Sequence, residues 1–267
     1  MSAAAPAPAP APTPNTPATP VPSRPRVGEL HDSGTIRKEA VDAGRWFATG
    51  LVKVTGDVNV GSGKLDGTVA VGGRLSAASL RYHGTLDVTG PVDASAELDG
   101  AGSLRAGSTV HAVTADLRGT VHCIGALTID RTARVRGALS APAATVGELD
   151  LEGDAHLPGD LSALRVTAVF KDDSELGTVR ARTVTLRGRP PNLVEKVFFR
   201  RVSVKVARVE ADAADLESVD VRFVRAPQIT LGRDAHVTEY EGTIAKRHPT
   251  SRVGFESKSP PPYGLRR

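Results

Sequence analysis

The chain has 267 residues, 40% of them hydrophobic and 24% charged, which is enough for one long domain or two short ones and too apolar for a disordered chain. Only 4% are aromatic while glycine occurs 27 times, so a wide core filled with large rings is excluded and a narrow interior of stacked small aliphatics is expected. A single cysteine, Cys123, excludes an intrachain disulfide framework and a multi-cysteine zinc cluster.

The formal net charge of +4 resides in the ends: residues 1–26 carry two arginines and no acid, and residues 246–267 carry six basic residues and one acid, which leaves 27–245 at −3. A slightly acidic core argues against nucleic acid as a partner. No apolar run approaches the ~18 residues of a membrane span, and no signal-peptide pattern follows Met1. A cytoplasmic protein without a transmembrane segment is therefore expected.

Residues 1–26 contain nine prolines alternating with Ala, Thr and Ser, so a disordered arm rich in polyproline II is expected there. Residues 27–188 are repetitive. Glycines recur at Gly50, Gly67, Gly84, Gly102, Gly119, Gly137 and Gly153, spaced by 17, 17, 18, 17, 18 and 16 residues, and a similar phrase returns at Gly177. After each glycine the second and fourth positions are aliphatic or small, as in Val69 and Val71, Leu86 and Val88, or Val121 and Cys123. A second alternating phrase ends two residues before the glycine, at Tyr82, Leu117, Val135 and Leu151, and a third lies mid-repeat, at Val58 and Val60 or Leu127 and Ile129. Three short strands per repeat of about 17 residues, joined at glycine corners, is the pattern of a parallel β-helix. Seven or eight such turns would form a rod on the order of 35 Å long.

The register falters twice. Gly153 and Gly177 are 24 residues apart, which implies an insertion between Leu164 and Leu176. Pro190 and Pro191 then stop the pattern, so residues 189–201 read as a break holding a short helix or loop. Alternation resumes over 202–245 as a short β-helical return, and the basic, Pro-rich stretch 246–267 reads as a second disordered tail.

With the GTVAV, GTLDV and GTVHC phrases at 17-residue spacing and proline-rich ends, residues 34–245 resemble the bactofilin family of polymer-forming cytoskeletal proteins. The segment from Val209 to Gly242 is similar to the closing segment of longer family members. The resemblance implies an all-β, right-handed parallel β-helix that polymerises end to end without nucleotide, as a scaffold that positions other proteins or supports cell shape. It implies no enzyme activity and no cofactor, and a second copy of the chain as the principal partner.

A physical argument points the same way, because each end of a β-helix presents a row of unpaired backbone groups. Trp46 and Phe47 are the candidate contacts or caps at the N-terminal end, and Ile229, Leu231, Val237 and Tyr240 would line the last turn. Phe198, Phe199, Arg200 and Arg201 either cover the break or meet a partner or a membrane surface, and Tyr263, Arg266 and Arg267 suit a groove-binding protein partner or an acidic surface. The alternatives are a capped, non-polymerising binding module and, more remotely, a carbohydrate-active β-helical enzyme.

Chemistry-bearing motifs are sparse. His122 and His156 fall on one outward column two turns apart, about 9–10 Å by strand spacing, too far to share a metal whose ligand bonds are about 2 Å. Cys123 replaces Val71 and Val88 in its column and reads as core. No phosphate-binding loop, dinucleotide fingerprint or nucleophile elbow occurs. Neither catalytic nor metal-ligating residues are assigned.

Overall fold

The computed structural model describes residues 27–189 and 203–256. Thirteen β-strands follow one another along the chain: β1 (Val27–Lys38), β2 (Val41–Val54), β3 (Val58–Val71), β4 (Leu75–Val88), β5 (Val92–Ala106), β6 (Val110–Cys123), β7 (Leu127–Ser140), β8 (Ala144–Phe170), β9 (Ser174–Gly188), β10 (Val204–Glu217), β11 (Asp220–Leu231), β12 (His236–Arg247) and β13 (Arg252–Glu256). They form one sheet in sequential order, and every neighbouring pair is parallel. The fold is thus the expected parallel β-solenoid, with about 17 residues per turn.

Each strand is a coil with three faces. In β3 the inward residues fall in three pairs, Val58 and Val60, Gly63 and Leu65, Val69 and Val71, with polar or small residues outward between them. These pairs are the three alternating phrases of the sequence, and they define a first, a second and a third face. Stacking the pairs in register puts like over like: Val58 on Leu75, Val69 on Leu86, Val71 on Val88. The interior is a continuous aliphatic column, nearly every member of which is inaccessible to solvent. The few large rings are accommodated by glycine one turn later, since a Cβ on Gly100 would strike the Tyr82 ring.

The corner between second and third faces rests on glycine. Gly50, Gly67, Gly84, Gly102, Gly119, Gly137 and Gly153 have φ between 98° and 145°, and each lies directly over the one before. A Cβ on Gly50 would come within 2.7 Å of the Gly34 carbonyl oxygen. Both the dihedral and the close backbone approach require glycine.

The two irregularities resolve differently from the sequence expectation. Gly177 is not a corner glycine; it stacks beside Pro158 and Gly159. The corner after Gly153 is Lys171–Asp172–Asp173, whose Lys171 N–H donates to the Gly153 carbonyl at 3.0 Å. The insertion is correspondingly small: Ala155 and Ser174 occupy successive turns 19 residues apart, two more than the usual step. The second irregularity leaves from the same corner one turn on. Arg189 N–H donates to Phe170 O at 2.9 Å, Ser174 N–H donates to Ser203 O at 3.0 Å, and Ser203 N–H donates to Asp173 Oδ1 at 2.8 Å. Across that gap β10 lies directly on β9, from Val204 on Ser174 to Glu217 on Arg187. Within the stretch read as a short return, the described residues 203–245 are therefore the continuation of the same stack.

One boundary moves. Residues 246–256, read as part of a disordered tail, complete β12 and form β13, because Val253 extends the column of Val221 and Val237, and Pro249 falls in the corner between the two strands. The rod is also longer than seven or eight turns. Gly34 opens an additional coil before Gly50, and the coils after Gly153 turn without a positive-φ glycine at this corner. Thirteen turns at about 4.8 Å give roughly 60 Å. The proline-rich stretch 1–26 lies outside the described residues.

Candidate assembly surface

The two ends of the rod are where the sheet stops. Among the described residues β1 pairs only with β2 and β13 only with β12, so each terminal coil turns one row of backbone donors and acceptors away from the stack.

At the N-terminal end the inward positions of β1 are Leu30 and Asp32 on the second face and Ile36 and Lys38 on the third. They stand over Trp46, Ala48, Val52 and Val54. Leu30 and Ile36 are half-buried against the core. Asp32 is only 5% exposed, and two donors hold it: Trp46 Nε1–H at 2.8 Å and Lys38 Nζ at 2.9 Å. Such inward-pointing charges at a sheet edge stop indiscriminate pairing while remaining satisfied themselves.

At the C-terminal end the last inward positions are Ile244 and Arg247 on the second face, Ser251 and Val253 on the third, and Glu256 on the first. Ile244 and Val253 are half-buried against the core. Arg247 donates through Nη2 to Ser251 O at 3.2 Å, which folds it over the corner. Phe255 points outward and is 61% exposed.

The residues singled out from the sequence sit mostly one turn inside these ends. Trp46 is 1% exposed beneath β1, and its role is to donate to Asp32. Phe47 faces outward and stacks on His31 at 4.7 Å. Ile229, Leu231 and Val237 are each 1% exposed because β12 and β13 cover them, and Tyr240 is half-buried under Glu256. Phe198, Phe199, Arg200, Arg201, Tyr263, Arg266 and Arg267 lie outside the described residues. Missed in the sequence were Leu30, Asp32, Ile36 and Lys38 at one end and Ile244, Arg247 and Val253 at the other. The phrase Gly34-Thr35-Ile36, sixteen residues before Gly50, was the available signal for the first group.

Away from the ends, an open groove of about 870 Å³ lies on the third face, where small Ala138 and Ser140 lie between His122 and His156. Ser140 separates the two histidines in the stack, and His156 Nδ1 is 3.6 Å from Glu175. Among the described residues no group of three or more His, Cys, Asp or Glu side chains is placed to hold a metal ion. Cys123 is buried, and burial pushes its thiol up to about 12, so at neutral pH it is a protonated core residue. No described helix is long and apolar enough to cross a membrane.

Comparison with protein-family models, with curated proteins and with solved structures returns no match for this chain.

Proposed function

We propose that this protein is a non-enzymatic scaffold that associates end to end, in the manner of the bactofilin-like proteins its repeats resemble, without nucleotide. The observation that carries this reading is the pair of terminal coils. Among the described residues each offers an unpaired strand row beside half-covered aliphatic side chains, Leu30 and Ile36 at one end and Ile244 and Val253 at the other. Stacking another coil there adds main-chain hydrogen bonds and completes the burial of those side chains. The partner is a second copy of the chain, and the rod between the ends acts as a rigid spacer with its outward columns open to other proteins.

Asp32 supports a second reading, in which the N-terminal coil is a closed cap and the rod is a binding module that remains a single copy. Electron microscopy of the purified protein in nucleotide-free, metal-chelated buffer separates the two. Filaments support the scaffold. Uniform rods about 60 Å long at all concentrations support the capped module.

A further inference from the structure

The outward side of the second face carries columns whose charges change sign along the rod. The middle column runs Arg81, Asp99, Asp116, Arg134 over β4–β7, then Asp150, Thr167, Thr185, Asp215 over β8–β10. β8 supplies two coils of this face, because the bond from Lys171 N–H to Gly153 O sets Phe170 over Gly153 and Thr167 over Asp150, as the bond from Arg189 N–H to Phe170 O accompanies Gly188 over Phe170. The change of sign is sharpest in mid-rod. Arg131, Arg134 and Arg136 make one coil basic, and Glu148, Asp150 and Glu152 make the next acidic, all six exposed. Among the described residues neither Arg134 nor Asp150 has an ion-pair partner within 4.0 Å, although one lies over the other in the stack.

From this pattern we infer that two copies pair side by side as antiparallel rods, second face on second face, about a two-fold axis between the Arg134 and Asp150 layers. The axis runs along the strands, so it sets each residue against the member of its own column at equal distance on the other side. Arg134 then meets Asp150, Arg136 meets Glu152 and Arg81 meets Asp215, and each contact occurs twice. The pairs within the chain, Arg81 with Asp99 at 2.8 Å and Arg187 with Asp215 at 3.4 Å, come together as a network of alternating sign. In no column does a charge meet its like. At the margins exposed Leu164 meets half-buried Val113, and exposed Val169 meets the methylene stem of Arg118.

The charges select this arrangement over its neighbours. Parallel rods, related by an axis along the solenoid, set Arg134 on Arg134 and Asp150 on Asp150. Moving the antiparallel axis by one coil opposes Asp99 to Asp150 in one direction and Asp116 to Asp215 in the other. Eight coils at about 4.8 Å by five residues of strand at about 3.3 Å give a face of about 600 Å² per copy, at the lower bound of a specific interface. Single exposed ion pairs contribute little, so the contact depends on the whole network and weakens with salt. It uses no residue of β1, β12 or β13 and is therefore independent of association through the ends.

Two charge-reversed variants test the axis, Arg134→Glu with Arg136→Glu and Asp150→Arg with Glu152→Arg. In a pair of identical variant copies like charges face each other, whereas in a mixed pair both contacts regain opposite signs. Analytical ultracentrifugation at about 50 mM salt, below any concentration at which filaments form, should give dimers of the wild type, single copies of either variant and dimers of their equimolar mixture. Recovery on mixing requires both variants to be folded, so it separates lost contact from lost structure. Single copies of the wild type, dimers of either variant alone, a mixture that stays single, or wild-type dimers that persist at about 1 M salt would each overturn the pairing. End-to-end association is read separately by electron microscopy. Both variants retain the end coils, so they should form filaments one rod wide where the wild type forms filaments two rods wide. Two-rod filaments of a variant alone would overturn the pairing, and dimers without filaments would uphold it while overturning the scaffold reading.

Discussion

From Gly34 to Gly153 the corner between second and third faces turns on glycine in every coil, whereas beyond Gly153 the corresponding corners contain no glycine with positive φ. Ser218 and Asp234 stand at two of them with φ of 53° and 49°, inside the left-handed well that side-chain-bearing residues can occupy at modest cost. The glycine corners use φ near 120°, which they cannot. Side-chain hydrogen bonds hold the C-terminal corners instead, from Asp234 N–H to Thr250 Oγ1 at 3.0 Å and from Ser218 Oγ–H to Arg233 O at 3.3 Å.

The outward surface changes with the corners. On the first face Arg180, Glu210, Arg225 and Glu241 stack in consecutive turns. Arg180 Nε is 3.0 Å from Glu210 and Arg225 Nε 2.9 Å from Glu241, and Arg208 adds a contact of 2.6 Å to Glu210. The same column nearer the N-terminus holds Asp42, Asn59 and Ser76. One coil geometry therefore turns this corner by two means, glycine at positive φ in the first half and residues with side-chain hydrogen bonds in the second.

The largest effect should come from a glycine corner. Gly119→Ala sets a Cβ against the Gly102 carbonyl in addition to the φ of 118°, and a loss of about 3 kcal/mol or more is expected in chemical denaturation. Gly34→Ala, where nothing lies within 4 Å of the added Cβ, should cost only the dihedral term, about 1–2 kcal/mol. Equal losses at the two positions would show that close approach contributes nothing.

Next comes the N-terminal end. Trp46→Phe keeps a ring in the core but removes the donor to Asp32, and a loss of about 1.5–3 kcal/mol is expected. An unchanged melting temperature would mean that the indole bond is dispensable.

Smaller effects distinguish the two halves by pH. Burial acts to raise the Glu210 carboxyl, but the bonds and charges of Arg180 and Arg208 outweigh it and hold the group below 4.5. Its contribution is present above that value and is lost as pH falls through the lower folded value. His111 is held above 6.5, chiefly by its hydrogen bond to Asp93 at 3.1 Å with Asp130 on its other nitrogen. Its contribution is present below 6.5 and is lost as pH rises through the higher folded value. Hydrogen exchange read by mass spectrometry should therefore show acid loosening β9–β12 and mild alkali loosening β5–β7. Glu210→Gln and His111→Asn should each abolish one of these responses and leave the other.

The coil and its three inward pairs were legible because period-2 alternation and a glycine that must adopt positive φ leave a direct mark on composition. The later corners were not, since Lys171–Asp173 and Ser218 turn the chain through hydrogen bonds that ordinary polar residues make, and Gly177 imitates a corner without being one. The ends were the least legible. Trp46 is conspicuous for its size, yet it lies under a coil whose inward residues, Asp32 and Lys38, break the aliphatic pattern that reveals the others. A charge at an inward position reads as surface until its partner is known.

The proposed end-to-end association is tested most directly by electron microscopy of the purified protein over a range of concentrations, without nucleotide or metal. End-to-end association predicts filaments that lengthen with concentration and carry the strand spacing of about 4.8 Å along their axis. Monodisperse rods of about 60 Å at every concentration would contradict it.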